Sequence, residues 1–208
     1  RSAGEGIIKM ITIAPECCDP AIISLLREQG ILVSAGHSNA TYAEARSAFN
    51  SGIPAATHLY NAMSPLQHRA PGMVGAILDH EEVKSSIVCD GIHVDFAAAR
   101  IAKKIMGHRL FYITDAVTET TGGLYTHLFK KDHYELPDGT LSGSALTMIQ
   151  SVNNGVQHLD ISWEESLRMA TCYPAALVHD RKIGLLRKGY EAGLVVLNDH
   201  GQVLKLLE

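Results

Sequence analysis

Five short apolar runs mark the first half of the chain, at residues 7–14, 31–35, 53–57, 83–88 and 110–114. Most are continuous rather than alternating, as expected for parallel strands covered on both faces. Stretches of helical period separate them: 20–29 closed by Gly30, 42–50 with Ser38 or Asn39 as the cap and Gly52 beyond, and the alanine-rich 96–106 ending at Gly107. Strand and helix thus alternate at the spacing of βαβ units with right-handed crossovers. After the fifth run the pattern changes. Residues 128–141 read as a hairpin turning at Asp138-Gly139, inserted behind the fifth strand. Helices are predicted at 145–158, at 163–170 with Ser162 and Glu165 as a capping box, and at 174–179. Apolar segments 194–197 and 203–206, around His200-Gly201, read as strands of a small separate β element.

Composition narrows the class without naming it. With 46% hydrophobic and 19% charged residues among 208, the chain can bury a sizeable core. A net charge of −4 with interspersed signs favours neither nucleic acid nor an anionic membrane, so a small molecule is the expected partner. No stretch reaches the length of a membrane span. Cys17, Cys18, Cys89 and Cys172 form neither a metal knuckle nor a spaced disulfide framework, so reduced thiols in a cytoplasmic protein are expected. The chain opens at Arg1 and runs at once into a strand, which reads as a fragment of something longer.

Position carries the chemistry. Just past the five strands stand Glu16, His37, His58, the 90–95 segment with His93, and Asp115. In a parallel βα sheet or barrel those ends share one face, where active sites are assembled. His37 and His58, from adjacent strands, can converge on one cation, and neutral imidazole suits zinc or iron. Asp115 follows a strand too apolar to hold a carboxylate without a partner. Metal-bound water, with its pKa lowered toward about 7, is such a partner, and the carboxylate can take its proton. The competing reading of Asp115 is a helix cap, which the loop-like Thr118 and Thr121 disfavour. Backbone amides at Asn61 and Ala62 with Arg69 nearby suit an anion, although spacing alone favours an ordinary loop with a solvated arginine. The remaining histidines, including His127 and His133, are assigned to surface or packing.

Five motifs resemble one family jointly. They are Ser34-Ala35-Gly36-His37-Ser38, Thr57-His58-Leu59-Tyr60-Asn61-Ala62-Met63, Asp90-Gly91-Ile92-His93-Val94-Asp95, Thr114-Asp115-Ala116 and Leu141-Ser142-Gly143-Ser144. In order, they resemble the N-acetylglucosamine-6-phosphate deacetylases of the amidohydrolase superfamily. The likeness runs over nearly the whole chain, through Leu167-Arg168-Met169-Ala170-Thr171 to the return at 189–197.

The resemblance implies part of a TIM-like (β/α)8 barrel at 1–187, with 188–208 belonging to a small β-sandwich domain. It implies a divalent metal, zinc or iron, as one or two ions, held by His37 and His58. Asp115 becomes the proton shuttle that activates water and then protonates the amine. His93 contacts the substrate and helps polarise the carbonyl. Asn61, Ala62 and Arg69 match positions that bind the sugar phosphate, Arg69 reaching across to a neighbouring subunit of a homodimer. Leu141, Ser142 and Gly143 match a further turn against the substrate. Related chemistry on the galactosamine epimer or another amide, or an inactive partial barrel, are the alternatives. Two departures stand out. The family's remaining metal-ligand glutamate lies in a His-x-Glu-Gly-Pro motif that this chain does not contain, Glu16 being placed as a supporting residue; and Ala70 replaces the acidic residue that often follows the arginine.

Overall fold

The computed structural model describes residues 6–120, 122 and 126–207; Thr121, read above as loop, lies outside them. Strands β1 (Met10–Ile13), β2 (Leu32–Ala35), β3 (Ala55–Ala56), β4 (Lys84–Ile87) and β5 (Leu110–Tyr112) form one sheet in that order. All four neighbouring pairs are parallel. Each strand lies inside a predicted run and is shorter than it. Pairing nevertheless continues beyond the strand ends: Gly36 N donates to Ile13 O, Thr57 N to Ala35 O and Ile113 N to Ile87 O.

Helices α1 (Pro20–Glu28), α2 (Tyr42–Asn50), α3 (Gly72–Asp79) and α4 (Phe96–Met106) fill the crossovers. Val33, Met73, Ile77, Ile87 and Leu110 are fully buried in the core they share with the sheet. Two expectations are corrected here. The cap of α2 is Thr41, which forms a reciprocal box with Glu44; Ser38 and Asn39 instead donate to the Glu16 carboxylate, each at 2.7 Å. Helix α3 has no counterpart among the predicted helices. Residues 72–78 are all buried, so the helix has no polar face and shows no amphipathic period.

Beyond β5 the chain forms an antiparallel meander, β6 (Leu128–Lys130), β7 (His133–Glu135) and β8 (Leu141–Ser144), rather than one hairpin. The Asp138-Gly139 turn joins β7 to β8, with Gly139 at φ 84°; the earlier turn, at Lys131 with φ 67°, carries no glycine signal. Helix α5 (Met148–His158) starts after a capping box of Thr147 with Gln150. It is followed by α6 (Trp163–Ala170) and α7 (Cys172–Leu177). Ser162 caps α6, but the expected box is only half made. The Glu165 side chain turns to Lys103 Nζ at 2.5 Å and to the Tyr173 hydroxyl, tying α6 to α4 and α7.

Strands β9 (Leu194–Leu197) and β10 (Val203–Leu207) pair antiparallel in a sheet of their own, matching the predicted β element. Its turn docks on α5 and α6. Asn153 Nδ2 donates to Gly201 O at 3.3 Å, and a Cβ on Gly201 would lie 2.4 Å from the Trp163 ring. All four cysteines are free. No helix of the described residues is long and apolar enough to cross a membrane.

Candidate active site

The three residues assigned to metal and proton transfer share a backbone signature. His37, His58 and Asp115 have φ of 50°, 40° and 51°, and Tyr60 and Ala62 in the same rim follow at 80° and 48°. Left-handed backbone is costly for residues with a Cβ and concentrates where function demands it. Gly36 makes the exit from β2 possible: a Cβ there would lie 2.8 Å from the Thr12 side chain and 3.1 Å from that of Thr57.

His37 and His58 meet edge to face, their Nε2 atoms 2.9 Å apart. Two ring nitrogens at that distance need either a shared proton or a cation between them. His58 is only 4% exposed and His37 is exposed, so the pair opens to solvent on the His37 side. Burial holds the His58 pKa below the ordinary histidine value, against the opposing field of Asp115, and so favours the neutral ring that coordinates metals. The backbone beneath is fixed: His58 N donates to Ser86 Oγ at 2.8 Å and Leu59 N to Ser86 O. Asp115 stands within the electrostatic reach of His58. Its side chain is exposed, however, so the apolar strand before it does not bury the carboxylate as the sequence suggested. The strand ends at Tyr112, and Asp115 lies three residues out on the rim.

The 141–144 turn is stitched to that rim. Ser144 N donates to Asp115 O at 2.9 Å, Val117 N to Ser144 O, and Ser144 Oγ to Thr114 O. Gly143, at φ 151°, leaves no space for a Cβ against Val117. Leu141 is exposed and Ser142 half-buried. Ser142 Oγ lies 2.9 Å from His127 Nδ1. Sequence reasoning assigned His127 to surface or packing, because nothing in one dimension shows which strand end a loop residue will face.

The 58–64 loop folds over the His37 loop, Ser38 N donating to Ala62 O and Ser64 N to Ser38 O. This changes what Asn61 can offer an anion. The Asn61 backbone amide is spent inside a turn, donating to His58 O at 2.9 Å. What Asn61 offers is its side-chain Nδ2, buried and without a hydrogen-bond partner. Arg69 is exposed, with no ion pair among the described residues, on a loop closed by mutual bonds between Gln67 and Ala70. The structure does not bring it into contact with the histidine pair.

His93, past β4, sits in strand order between His58 and Asp115. Its Nδ1 lies 2.6 Å from Asp90 Oδ2, both side chains being nearly buried, while Nε2 is buried without a partner. Among the described residues three buried polar atoms lack a partner, His58 Nδ1, Asn61 Nδ2 and His93 Nε2, and all three belong to the loops that follow β3 and β4. Buried polar groups are normally satisfied, so this concentration points to a polar ligand.

A divalent cation fits the imidazole pair. Two neutral imidazole nitrogens turned toward each other 2.9 Å apart are donors that zinc or iron would accept, and Asp115 supplies negative potential beside them. Among the described residues no set of three or more His, Cys, Asp or Glu side chains converges as a complete ligand shell. Two imidazoles are what these residues contribute.

Comparison with known proteins places the chain among curated and solved relatives. The chain is 38% identical over 213 residues to an N-acetylglucosamine-6-phosphate deacetylase of Haemophilus influenzae, covering 97% of this chain and 55% of the relative. It is 34% identical to an N-acetylgalactosamine-6-phosphate deacetylase of a Shewanella species, covering 95% and 52%. The crystal structure of N-acetylglucosamine-6-phosphate deacetylase from Pasteurella multocida superposes with a TM-score of 0.91 at 39% identity, over 97% of this chain and 55% of that one. The five-stranded sheet is thus part of the TIM-barrel fold of these enzymes. The chain spans about half the length of the curated relatives it matches. Residues 12–206 match the amidohydrolase family, and the chain belongs to it.

Proposed function

We propose that the protein to which these residues belong hydrolyses the N-acetyl group of N-acetylglucosamine 6-phosphate, releasing acetate and glucosamine 6-phosphate. The observation that carries this is the His37–His58 pair, with Nε2 atoms 2.9 Å apart on adjacent strand ends, in a chain whose relatives bear that name. Metal dependence is general in the amidohydrolase superfamily. His37 and His58 hold a divalent ion, zinc or iron, which when bound acidifies water and polarises a carbonyl.

The chain's own groups do the rest. Asp115 takes the proton of the attacking water and returns it to the amine nitrogen as the C–N bond breaks. Its exposed position on the rim lets it reach both sites. His93 meets the substrate through Nε2. The Asn61 side chain and the Ala62 amide bind the phosphate, and residues 141–143 close the turn against the sugar. Arg69, exposed and without a local acid, serves the phosphate in a neighbouring subunit of a homodimer. Residues 1–187 form the barrel portion, and 188–208 belong to a small β-sandwich domain, in line with the separate β9–β10 sheet.

The galactosamine epimer is the second reading, supported by the Shewanella relative. Acetate release should be measured on both 6-phosphates, with the chain at the relatives' full length. Faster release from the glucosamine compound is expected. A preference for the galactosamine compound favours the second reading, and release from neither overturns the activity.

A further inference from the structure

Beyond the residues assigned so far lies Asp90, whose carboxylate is nearly buried at the end of β4. Its two oxygens are divided between two tasks. Oδ1 accepts from the backbone of Ile92 at 2.9 Å and of His93 at 2.8 Å; Oδ2 faces His93 Nδ1 at 2.6 Å. The carboxylate pKa lies below its ordinary value: burial opposes this, but the bonds from His93 and the two amides outweigh it. An ionised carboxylate has no hydrogen to give, so the proton between Asp90 and His93 belongs to Nδ1. The loop is braced from behind, since Asn154 Nδ2 of α5 donates to Cys89 O at 2.8 Å. That leaves Nε2, buried and without a partner, as the nitrogen available to a ligand.

We infer that Asp90 is a positioning residue: it holds the ring proton of His93 on Nδ1 and fixes the imidazole so that Nε2 meets the substrate. This rests on the proposal that His93 contacts the substrate. In the neutral ring Nε2 accepts a hydrogen bond, and in the doubly protonated ring it donates one to a carbonyl oxygen. Both uses depend on the same anchor.

The division of labour gives Asp90→Asn an unusual consequence. The amide oxygen keeps the two backbone donors, so the amide nitrogen takes the place of Oδ2 and donates to Nδ1. The proton of the neutral ring is then forced onto Nε2. Nitrogen-15 spectra of the His93 ring in this chain test this directly. The neutral ring is expected to carry its proton on Nδ1 in the wild type and on Nε2 in the variant; the same tautomer in both overturns the inference. In the full-length enzyme, Asp90→Asn is expected to lower kcat roughly tenfold or more, with KM changed less than about twofold because phosphate binding is untouched. A wild-type kcat overturns the positioning role. If full-length wild type releases no acetate, the deacetylase reading fails while the spectra still decide whether Asp90 governs His93. Should the variant unfold, the wild-type ring decides alone: a neutral His93 protonated on Nε2 overturns the inference, and one protonated on Nδ1 supports it.

Discussion

At the scale of single residues, charge and exposure separate the tasks at the rim. Asp115 is exposed yet within the field of His58, so it can exchange protons without carrying the fold. Asp115→Asn in the full-length enzyme is expected to reduce turnover at least about a hundredfold, while substrate affinity by calorimetry stays within about twofold; retained acetate release would refute the shuttle. Arg69 makes no local ion pair among the described residues, so its guanidinium is free for phosphate. Arg69→Ala should weaken the phosphorylated sugar by about 1.5–3 kcal/mol and leave its unphosphorylated counterpart unaffected. Equal losses for both would count against a phosphate contact. The places of His37, His58, His93 and Asp115 past successive strands were legible from the apolar runs before them. The spent amide of Asn61 and the His127–Ser142 bond were not, because hydrogen-bond partners depend on loop closure rather than on local pattern.

Among elements, the packing of α5 against β5 offers the clearest measurable constraint. Gly155 faces Tyr112 and Ser166, and a Cβ there would fall 1.9 Å from the Tyr112 hydroxyl oxygen. That hydroxyl lies 2.9 Å from Ser166 Oγ, which in turn donates to Val152 O, so neither neighbour can move freely. Gly155→Ala is expected to cost about 1–3 kcal/mol, despite alanine's better helix propensity, seen as a lower denaturation midpoint; an unchanged or raised midpoint would show that the contact relaxes. Strands and amphipathic helices were readable because burial on one or both faces imposes a period. Helix α3 was not, since a helix buried all round loses that period, and the first turn of the meander was not, since Lys131 occupies a left-handed position without a glycine.

For the whole molecule, the sheet order β1 to β5 leaves β1 at an edge, with Ile7 73% and Met10 38% exposed. The described residues bring two imidazoles to the candidate metal position and no complete ligand shell. This stretch alone is therefore expected to hold metal weakly and release little acetate, whereas the same residues within a chain of the relatives' full length should do both; equal metal content and turnover in the two would overturn the need for further ligands. An exposed apolar edge also favours self-association, which light scattering would detect. Local pattern was enough to show that the candidate groups follow successive parallel strands, because burial writes its period locally and a parallel sheet sends every strand end to one face. Which of those groups touch follows from the folded packing alone. It brought His37 to 2.9 Å from His58, tied Ser144 to Asp115 and anchored His93 on Asp90, since contacts between loops far apart in the chain are set by the packing of the elements that carry them.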